Sequence, residues 1–409
     1  MAVTRTYAYR GRDAAGKLVK GTVDAATEAA VGSRLRTMGV APISVAEAQP
    51  GTGLNREIDL SLFRKGVSLK DLAVMSRQMA TMISAGLTLL RTLTIIAEQT
   101  ENKRLAGVLA QVGGDVETGL SLSDAMARHP DEFPPLMLSL IRAGETGGFL
   151  EGALESVATN YEKEVELRGT VKSALTYPVV VLLMAIVAVI GMLLFIVPIF
   201  EKMFADLGGE LPLPTQFLVV LSRNMAWVTP LLAVAAIAFT VWWRRNRNTL
   251  KVRMIVDPLR LRMPVFGPLM TKVAVARFTR NFATMMSAGV PILRALSIVG
   301  ATSGNWVIEH ALVKVQDSVR QGATVAAPLA EEPVFPSMVT QMIAVGEDSG
   351  ALEQMLHKIS DFYDQEVKST TDQLTALIEP LMIAVIGVVI GGMIVALYMP
   401  VFSIFDQIQ

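Results

Sequence analysis

Apolar residues recur at spacings of three and four along two long stretches of the chain, the spacing of one helix face. The first such face holds Leu72, Met75, Met79, Met82 and Ile83. Further periodic segments lie near residues 88–98, 103–117, 122–128, 135–143 and 150–172, and again near 267–286, 291–300, 306–320, 324–330, 337–345 and 351–377. Because each short helix must bury its apolar face, the pattern predicts two six-helix bundles.

The two helical stretches are copies of one another. RQMATMISAGLTLLRTL at residues 77–93 returns as RNFATMMSAGVPILRAL at 280–296, with ten of seventeen positions identical at an offset of 203. Further on, at an offset of 202, AGETGGFLE and YEKEV are answered by VGEDSGALE and YDQEV. A repeat of this length is a duplicated domain, and each copy ends in a long apolar run.

Three uncharged apolar runs are long enough to cross a bilayer, which needs about 20 helical residues. They lie at residues 178–197, 226–243 and 381–399. The predicted transmembrane helices, with their flanks, are residues 173–200, 226–243 and 378–402. Gly387 and Gly391 have the GxxxG spacing of closely packed membrane helices.

The first 48 residues predict a small α+β module, with strands at 6–9, 18–23 and 42–45 and a helix over 27–38. Residues 49–67 predict a linker. Within the module, GRDAAGK fits the first seven places of a phosphate-binding loop, but Leu18 stands where Ser or Thr is needed. The match lies in a hairpin, so an ordinary turn is the favoured interpretation and a nucleotide site the weaker alternative.

Charge predicts the orientation in the membrane. Hydrophobic residues make up 52% of the chain, and 37 basic residues balance 37 acidic ones, so no global field attracts nucleic acid. The residues after the second span are locally basic: Arg244, Arg245, Arg247, Lys251, Arg253, Arg260 and Arg262. Basic flanks face the cytoplasm. The bundles at 68–172 and 244–377 are therefore predicted to be cytoplasmic, with the loop 201–225, which contains Arg223, and the tail 403–409 outside.

The N-terminal residues, MAVTRTYAYRGR, contain no apolar stretch typical of a signal peptide. We therefore expect internal spans to direct membrane insertion.

No pattern typical of catalysis, metal binding or a cofactor is found in the sequence. There is no Cys, and His129, His310 and His357 have no metal-ligand spacing. We therefore predict a non-enzymatic protein without cofactors. The 22 methionines favour core filling over an adaptable partner surface.

The repeated GETGG and GEDSG segments admit two interpretations. Structurally, Gly144 and Gly346 would end a helix in a left-handed cap, Thr146 or Ser349 would start the next helix, and Glu145 and Glu347 would stabilise its first turn. Functionally, the two carboxylates would contact a partner or pair with a repeated arginine. The arginines in question are Arg77, Arg91, Arg280 and Arg294.

The duplicated SAGLTLLRTL and SAGVPILRAL, with GETGGFLE and GEDSGALE behind them, resemble a known family. They are similar to the type II secretion F domains of the inner-membrane platform proteins of type IV pilus assembly and type II secretion. The resemblance runs from about residue 68 to the C-terminus. The opening TYAYRGRDAAGKLVKGTVDA also looks like that family's N-terminal region. Thr88 departs from the pattern, since Pro291 of the second copy is the residue common in the family.

The resemblance implies a multi-pass inner-membrane hub, and the charge pattern predicts its N-terminus in the cytoplasm and its C-terminus outside. Its expected partners are a hexameric assembly ATPase, pilin or pseudopilin subunits, other inner-membrane assembly proteins and further copies of itself. The partner-interaction candidates are Arg77, Arg91, Glu145, Arg280, Arg294 and Glu347. A near-continuous helix from each bundle into the membrane would couple the two, whereas a passive stalk is the alternative.

Two other classes of protein remain as alternatives. Internal repeats also occur in secondary transporters, but three spans without an ionisable residue at depth leave little room for a transport path. An integral membrane enzyme would need a catalytic constellation that the sequence does not contain.

Overall fold

The computed structural model describes residues 5–12, 18–25, 30–32, 35, 41–47, 66–206 and 211–407. The chain divides into two compact units, Met1–Arg64 and Lys65–Gln409.

The N-terminal unit contains three antiparallel strands in its described residues. They are β1 (Arg5–Arg12), β2 (Leu18–Ala25) and β3 (Ala41–Glu47), in the order β2-β1-β3. Val31 and Leu35 are buried. The phosphate-loop match beyond β1, most of the predicted helix over 27–38 and the linker up to residue 65 lie outside the described residues.

The first copy consists of six helices. They are α1 (Leu69–Ser84), α2 (Leu89–Gln99), α3 (Lys103–Glu117), α4 (Leu122–Ala127), α5 (Pro135–Gly147) and α6 (Leu150–Gly191). The helix α1 opens on a capping box, in which Ser68 Oγ accepts the Asp71 N–H and the Asp71 side chain accepts the Ser68 N–H. The break after α1 comes at Gly86, whose φ of 84° favours glycine.

The second copy repeats the series after an additional helix. That helix is α9 (Leu250–Arg262), and the copy comprises α10 (Phe266–Ser287), α11 (Ile292–Thr302), α12 (Trp306–Arg320), α13 (Ala326–Ala330), α14 (Ser337–Asp348) and α15 (Leu352–Gln407). One buried apolar cluster joins the two copies, with Met79 and Phe282 among its members. Both copies are therefore helical bundles, and they share a core.

In the part of the chain that the structure describes, three helical segments are long and apolar enough to cross a membrane. The first is α6, which passes through a π-helical turn at Met192–Ile196 into α7 (Val197–Asp206). The second lies in α8 (Leu213–Asn246), and the third is the outer part of α15. The sixth helix of each copy thus continues without a break from its bundle into its span.

The predicted loop over 201–225 is largely helical, because α7 extends to Asp206 and α8 begins at Leu213. The cause is packing: Leu218 of α8 joins a buried cluster with Leu193 and Leu397 of the other two spans. Thr215 also donates to the Ala396 carbonyl at 2.5 Å. The start of α8 has an apolar side that packs in this cluster, whereas the second candidate span itself begins at Trp227.

Candidate functional site

Glu145 and Glu347 cap short helices inside their own bundles. The Glu145 carboxylate accepts the backbone N–H groups of Leu122 at 2.5 Å and Ser123 at 3.1 Å, at the start of α4. Glu347 does the same at the start of α13, accepting from Val325 at 2.6 Å and Ala326 at 2.8 Å. A carboxylate at a helix N-terminus satisfies free donors and stabilises the positive end of the helix dipole.

This arrangement corrects part of the structural interpretation of the GETGG and GEDSG segments. The capped helix precedes the motif in the sequence, whereas the prediction was the helix that follows the motif. The reason is that α4 folds back against α5. Thr146 lies within α5, and Ser349 follows the end of α14. Neither residue starts a helix.

Gly144 and Gly346 also have a different role from the predicted one. The left-handed residues are Gly148, with φ 73°, and Gly350, with φ 67°. A Cβ on Gly144 would lie 2.4 Å from the Ala153 Cβ, and one on Gly346 would lie 3.0 Å from the Leu352 Cα. The first glycine of each motif therefore allows two helices to approach closely, and the last one makes the turn.

Arg77 and Arg280 each join the first helix of a copy to the sixth. Arg77 Nε donates to Glu162 at 2.7 Å, and Nη1 donates to Glu155 at 2.5 Å. At the equivalent place Arg280 donates to Asp364. The hydrogen bond from Arg77 lowers the pKa of Glu162 below its usual range. The predicted pairing of these arginines with the GExxG carboxylates is not found among the described residues.

The second copy has a contact that the first lacks, because its first helix is also packed against copy one. Arg277 and Arg280 of α10 lie beside Glu164 of α6, with Arg277 Nη2 at 2.7 Å and Arg280 Nη1 at 3.8 Å. Asn160 donates to Asn281 at 3.1 Å and to Thr284 at 3.3 Å in a buried cluster. Sequence analysis missed these residues. The only signal in the sequence was that Asn160 and Arg277 are polar where the other copy has the apolar Phe362 and Val74.

Arg91 and Arg294 remain exposed on the surfaces of α2 and α11. Within the described residues, neither guanidinium forms a hydrogen bond or an ion pair with another side chain. Arg294 lines a groove of about 380 Å³ between α5 and α11, together with Arg142 and Phe149. Of the six partner-interaction candidates, these two therefore have side chains available to another molecule.

The described residues contain no group of three or more His, Asp or Glu side chains placed to hold a metal ion. The geometry is instead that of a multi-span membrane protein with a duplicated helical domain, whose repeated polar residues mainly fix its own helices.

Comparison with known proteins identifies the duplicated domain. Residues 75–198 and 278–400 each match the family described as type II secretion system protein F. Residues 1–46 match the N-terminal domain of the same proteins. The chain therefore belongs to the type II secretion system protein F family, the inner-membrane platform proteins of pilus assembly and protein secretion.

Individual relatives cover nearly the whole chain. The type IV pilus assembly protein PilC of Thermus thermophilus is 43% identical over 98% of this chain and 99% of its own length. PilC of Myxococcus xanthus is also 43% identical, over 99% of this chain and 96% of its own. The type II secretion system protein F of Vibrio cholerae is 30% identical, over 97% and 98% respectively.

Proposed function

We propose that this chain is a non-enzymatic platform that couples a cytoplasmic hexameric ATPase to the insertion of pilin subunits into a growing filament. The observation that carries the proposal is the continuity of α6 and α15, each of which belongs to a bundle at one end and to a membrane span at the other. A helix that continues through the boundary transmits rotation or displacement of its bundle to the membrane. A passive stalk would not require two such helices in one shared core.

The choice of pilus assembly over secretion rests on similarity. The two PilC relatives are 43% identical to this chain, whereas the secretion protein of Vibrio cholerae is 30% identical. We infer that pilins, rather than pseudopilins, are the subunits handled.

The proposed orientation places both bundles in the cytoplasm, the N-terminal α+β module with them, and the C-terminus outside. Basic residues after the second span support this orientation. In that arrangement Arg91 and Arg294 are accessible to an ATPase, and we propose that they contribute to its contact surface.

We further propose that the chain self-associates head to tail. Copy one uses α5 and α6 to contact α10, α11 and α15 of copy two. No comparable contact joins α14 or α15 to α1 or α2 in the part of the chain that the structure describes. Such a heterologous interface leaves one complementary half free at each end of the molecule.

The two free halves have the composition that an interface requires. Val74 and Phe362 are the equivalents of Arg277 and Asn160, and they are 48% and 42% exposed. Val345 is 58% exposed, and its equivalent in copy one, Ala143, lines the groove that contains Arg294. The equivalents of these three residues lie where copy one meets copy two. Exposed apolar residues at the matching positions favour docking of a second molecule there.

The test of the proposed ATPase contact uses the full-length protein in nanodiscs and the host's assembly ATPase. The wild type is expected to recruit the ATPase and stimulate ATP hydrolysis, and Arg91→Glu with Arg294→Glu is expected to abolish recruitment. Lys103→Glu with Lys358→Glu is the matched control, because both lysines are exposed and lie one in each copy. Equal recruitment by both double variants would contradict the proposed surface, and no recruitment by the wild type would contradict the coupling function.

A further inference from the structure

A cavity of about 630 Å³ lies where α6 leaves its bundle for the first span. Its walls come from α6, α9, α10 and the loop that follows α11. Val179 and Val180 form one end, with Val171, Leu175, Met270 and Val273 extending the apolar surface. The other end, at the level of Arg168 and Lys172 of α6, carries charged lining residues beside the apolar Leu167 and is called the polar end. The cavity is therefore amphipathic along its length.

Two observations place the cavity at the boundary between hydrocarbon and water. Val179 and Val180 directly follow Pro178, where the uncharged run of the first span begins. On the polar side, the Arg260 guanidinium lies 5.8 Å from the centroid of the Trp243 ring. Trp243 ends the apolar part of the second span, and tryptophan is typical of the headgroup level.

The polar end carries an excess of positive charge. Arg168, Lys172, Arg260 and Arg277 line the cavity, and Asp257 is the one carboxylate among the lining residues. Asp257 is already engaged, since it accepts the Trp306 N–H at 2.9 Å and lies 3.7 Å from both Arg253 and Arg260. Glu164, behind the wall, is bound by Arg168 and Arg277.

With the neighbouring pair of Arg253 and Glu309 included, five basic side chains face three carboxylates. This group therefore has a surplus of two positive charges. Lys172 is exposed, and its ammonium group forms no hydrogen bond or ion pair within the described residues. Arg260 is half exposed, with its carboxylate neighbour 3.7 Å away.

Arg277 forms the rigid inner wall of the polar end. Two of its nitrogens bind Glu164, at 3.0 and 2.7 Å, and its side chain is 18% exposed. Gly304 adopts a φ of 70°, and a Cβ there would lie 3.3 Å from Arg277 Nη1. Because Gly304 has no side chain, the Arg277 guanidinium fits beside the cavity. Its position is therefore fixed in the absence of a ligand.

We propose that this cavity binds one anionic phospholipid from the surrounding bilayer. The phosphate lies between Lys172 and Arg260, and the start of an acyl chain lies against Val179 and Val180. A zwitterionic lipid would gain less from the surplus charge, because its cationic headgroup offsets its phosphate, and a soluble phosphate would leave the apolar end uncovered. The proposed orientation decides only which leaflet supplies the lipid. A lipid wedged here would hold α6 against α9 and α10, at the place where the bundle meets its span.

The test uses the full-length protein in detergent with equal amounts of phosphatidylglycerol and phosphatidylcholine, and counts retained lipids by native mass spectrometry. The wild type is expected to retain one molecule of phosphatidylglycerol in preference to phosphatidylcholine. Lys172→Gln with Arg260→Gln is expected to weaken that retention by about fivefold for each cation removed. Arg245→Gln with Arg247→Gln removes the same charge from exposed residues that do not line the cavity, and should retain the lipid.

Equal retention of both lipids by the wild type, or equal loss in the two double variants, would overturn the proposal. Competition by glycerol 3-phosphate at concentrations similar to the lipid would also overturn it, because the site would then be one for a soluble phosphate. Recruitment of the ATPase is measured separately on the same variants. Failure of lipid binding is therefore distinguishable from failure of the proposed function.

Discussion

Arg77 and Arg280 occupy equivalent positions of the two copies, yet the side chain of Arg77 is 35% exposed and that of Arg280 is 4% exposed. Both hold the first helix of a copy to the sixth. The difference arises because α6 of copy one covers α10 of copy two, whereas nothing in the described part of this chain covers α1 in the same way.

Loss of the buried arginine should cost more stability than loss of its exposed equivalent. Breaking a buried pair costs about 3–5 kcal/mol because a charge is left uncompensated, and Arg280→Ala would leave Asp364 in that state, whereas Glu164 keeps Arg168 and Arg277. An exposed pair contributes about 0.2–1 kcal/mol, so Arg77→Ala should be mild. Thermal unfolding of the two variants in the same detergent measures the difference. Equal losses would show that the two arginines are in equivalent environments.

The contribution of Arg77 should depend on pH. Its hydrogen bond lowers the pKa of Glu162 below the usual value of 4.5. A carboxylate with a lowered folded-state pKa stabilises the fold above its unfolded-state pKa and loses that contribution as the pH falls through the folded-state value. The gap in unfolding temperature between wild type and Arg77→Ala should therefore narrow below about pH 4.5. A gap of constant size down to strongly acidic pH would contradict this assignment.

Removal of the Glu145 carboxylate should loosen α4 without unfolding the bundle. Glu145→Ala leaves the N–H groups of Leu122 and Ser123 without their acceptor, at a cost of about 1–2 kcal/mol. Hydrogen exchange at these two amides should accelerate, and Glu347→Ala should do the same at Val325 and Ala326.

Glu145→Gln keeps an acceptor oxygen and serves as the milder control. The capping role would be contradicted if Glu145→Ala left exchange in α4 unchanged. Loss of ATPase recruitment with α4 still protected would instead favour a direct partner contact.

Head-to-tail association predicts a specific crosslink between molecules. Gln78 and Phe362 are the equivalents of Asn281 and Asn160, which are hydrogen bonded inside the molecule. The chain has no cysteine, so Gln78→Cys with Phe362→Cys introduces the only thiols. A short bifunctional thiol reagent applied to membranes should give dimers and longer species.

Glu98→Cys with Phe362→Cys is the control for that experiment, because Glu98 is exposed on α2 outside the proposed interface. Similar crosslinking in the two pairs would indicate random encounter. Association by a different surface would leave the Gln78 pair uncrosslinked.

Much of the fold could be predicted because the same pattern of helices occurs in both copies, so that each copy supports the helix boundaries predicted for the other. Predicted helices at 103–117 and 122–128 agree closely with Lys103–Glu117 and Leu122–Ala127, and in the structure the caps Asn102 and Ser121 directly precede these helices. The long sixth helices were predictable from an apolar stripe that continues into an uncharged run.

The roles of the site residues were less predictable, because they depend on tertiary contacts. The motif around Glu145 shows that a cap is present but not which helix it serves, since α4 lies more than twenty residues upstream. The burial of Arg280 and the polar contact of Asn160 with Asn281 come from packing between the copies. A duplicated sequence gives both copies the same local pattern and cannot show which face of which copy is covered.

The most direct test of the coupling claim is filament assembly by chains with an insert between Lys172 and Ser173, where α6 passes from bundle to membrane. The insert adds about two helical turns, in alanine or in glycine. The alanine insert keeps a continuous helix in nearly the same rotational register, whereas the glycine insert interrupts it. The account predicts filaments with the alanine insert, none with the glycine insert, and ATPase recruitment by both. Filament assembly at the same level with the glycine insert would contradict the account, because α6 would then be a passive stalk.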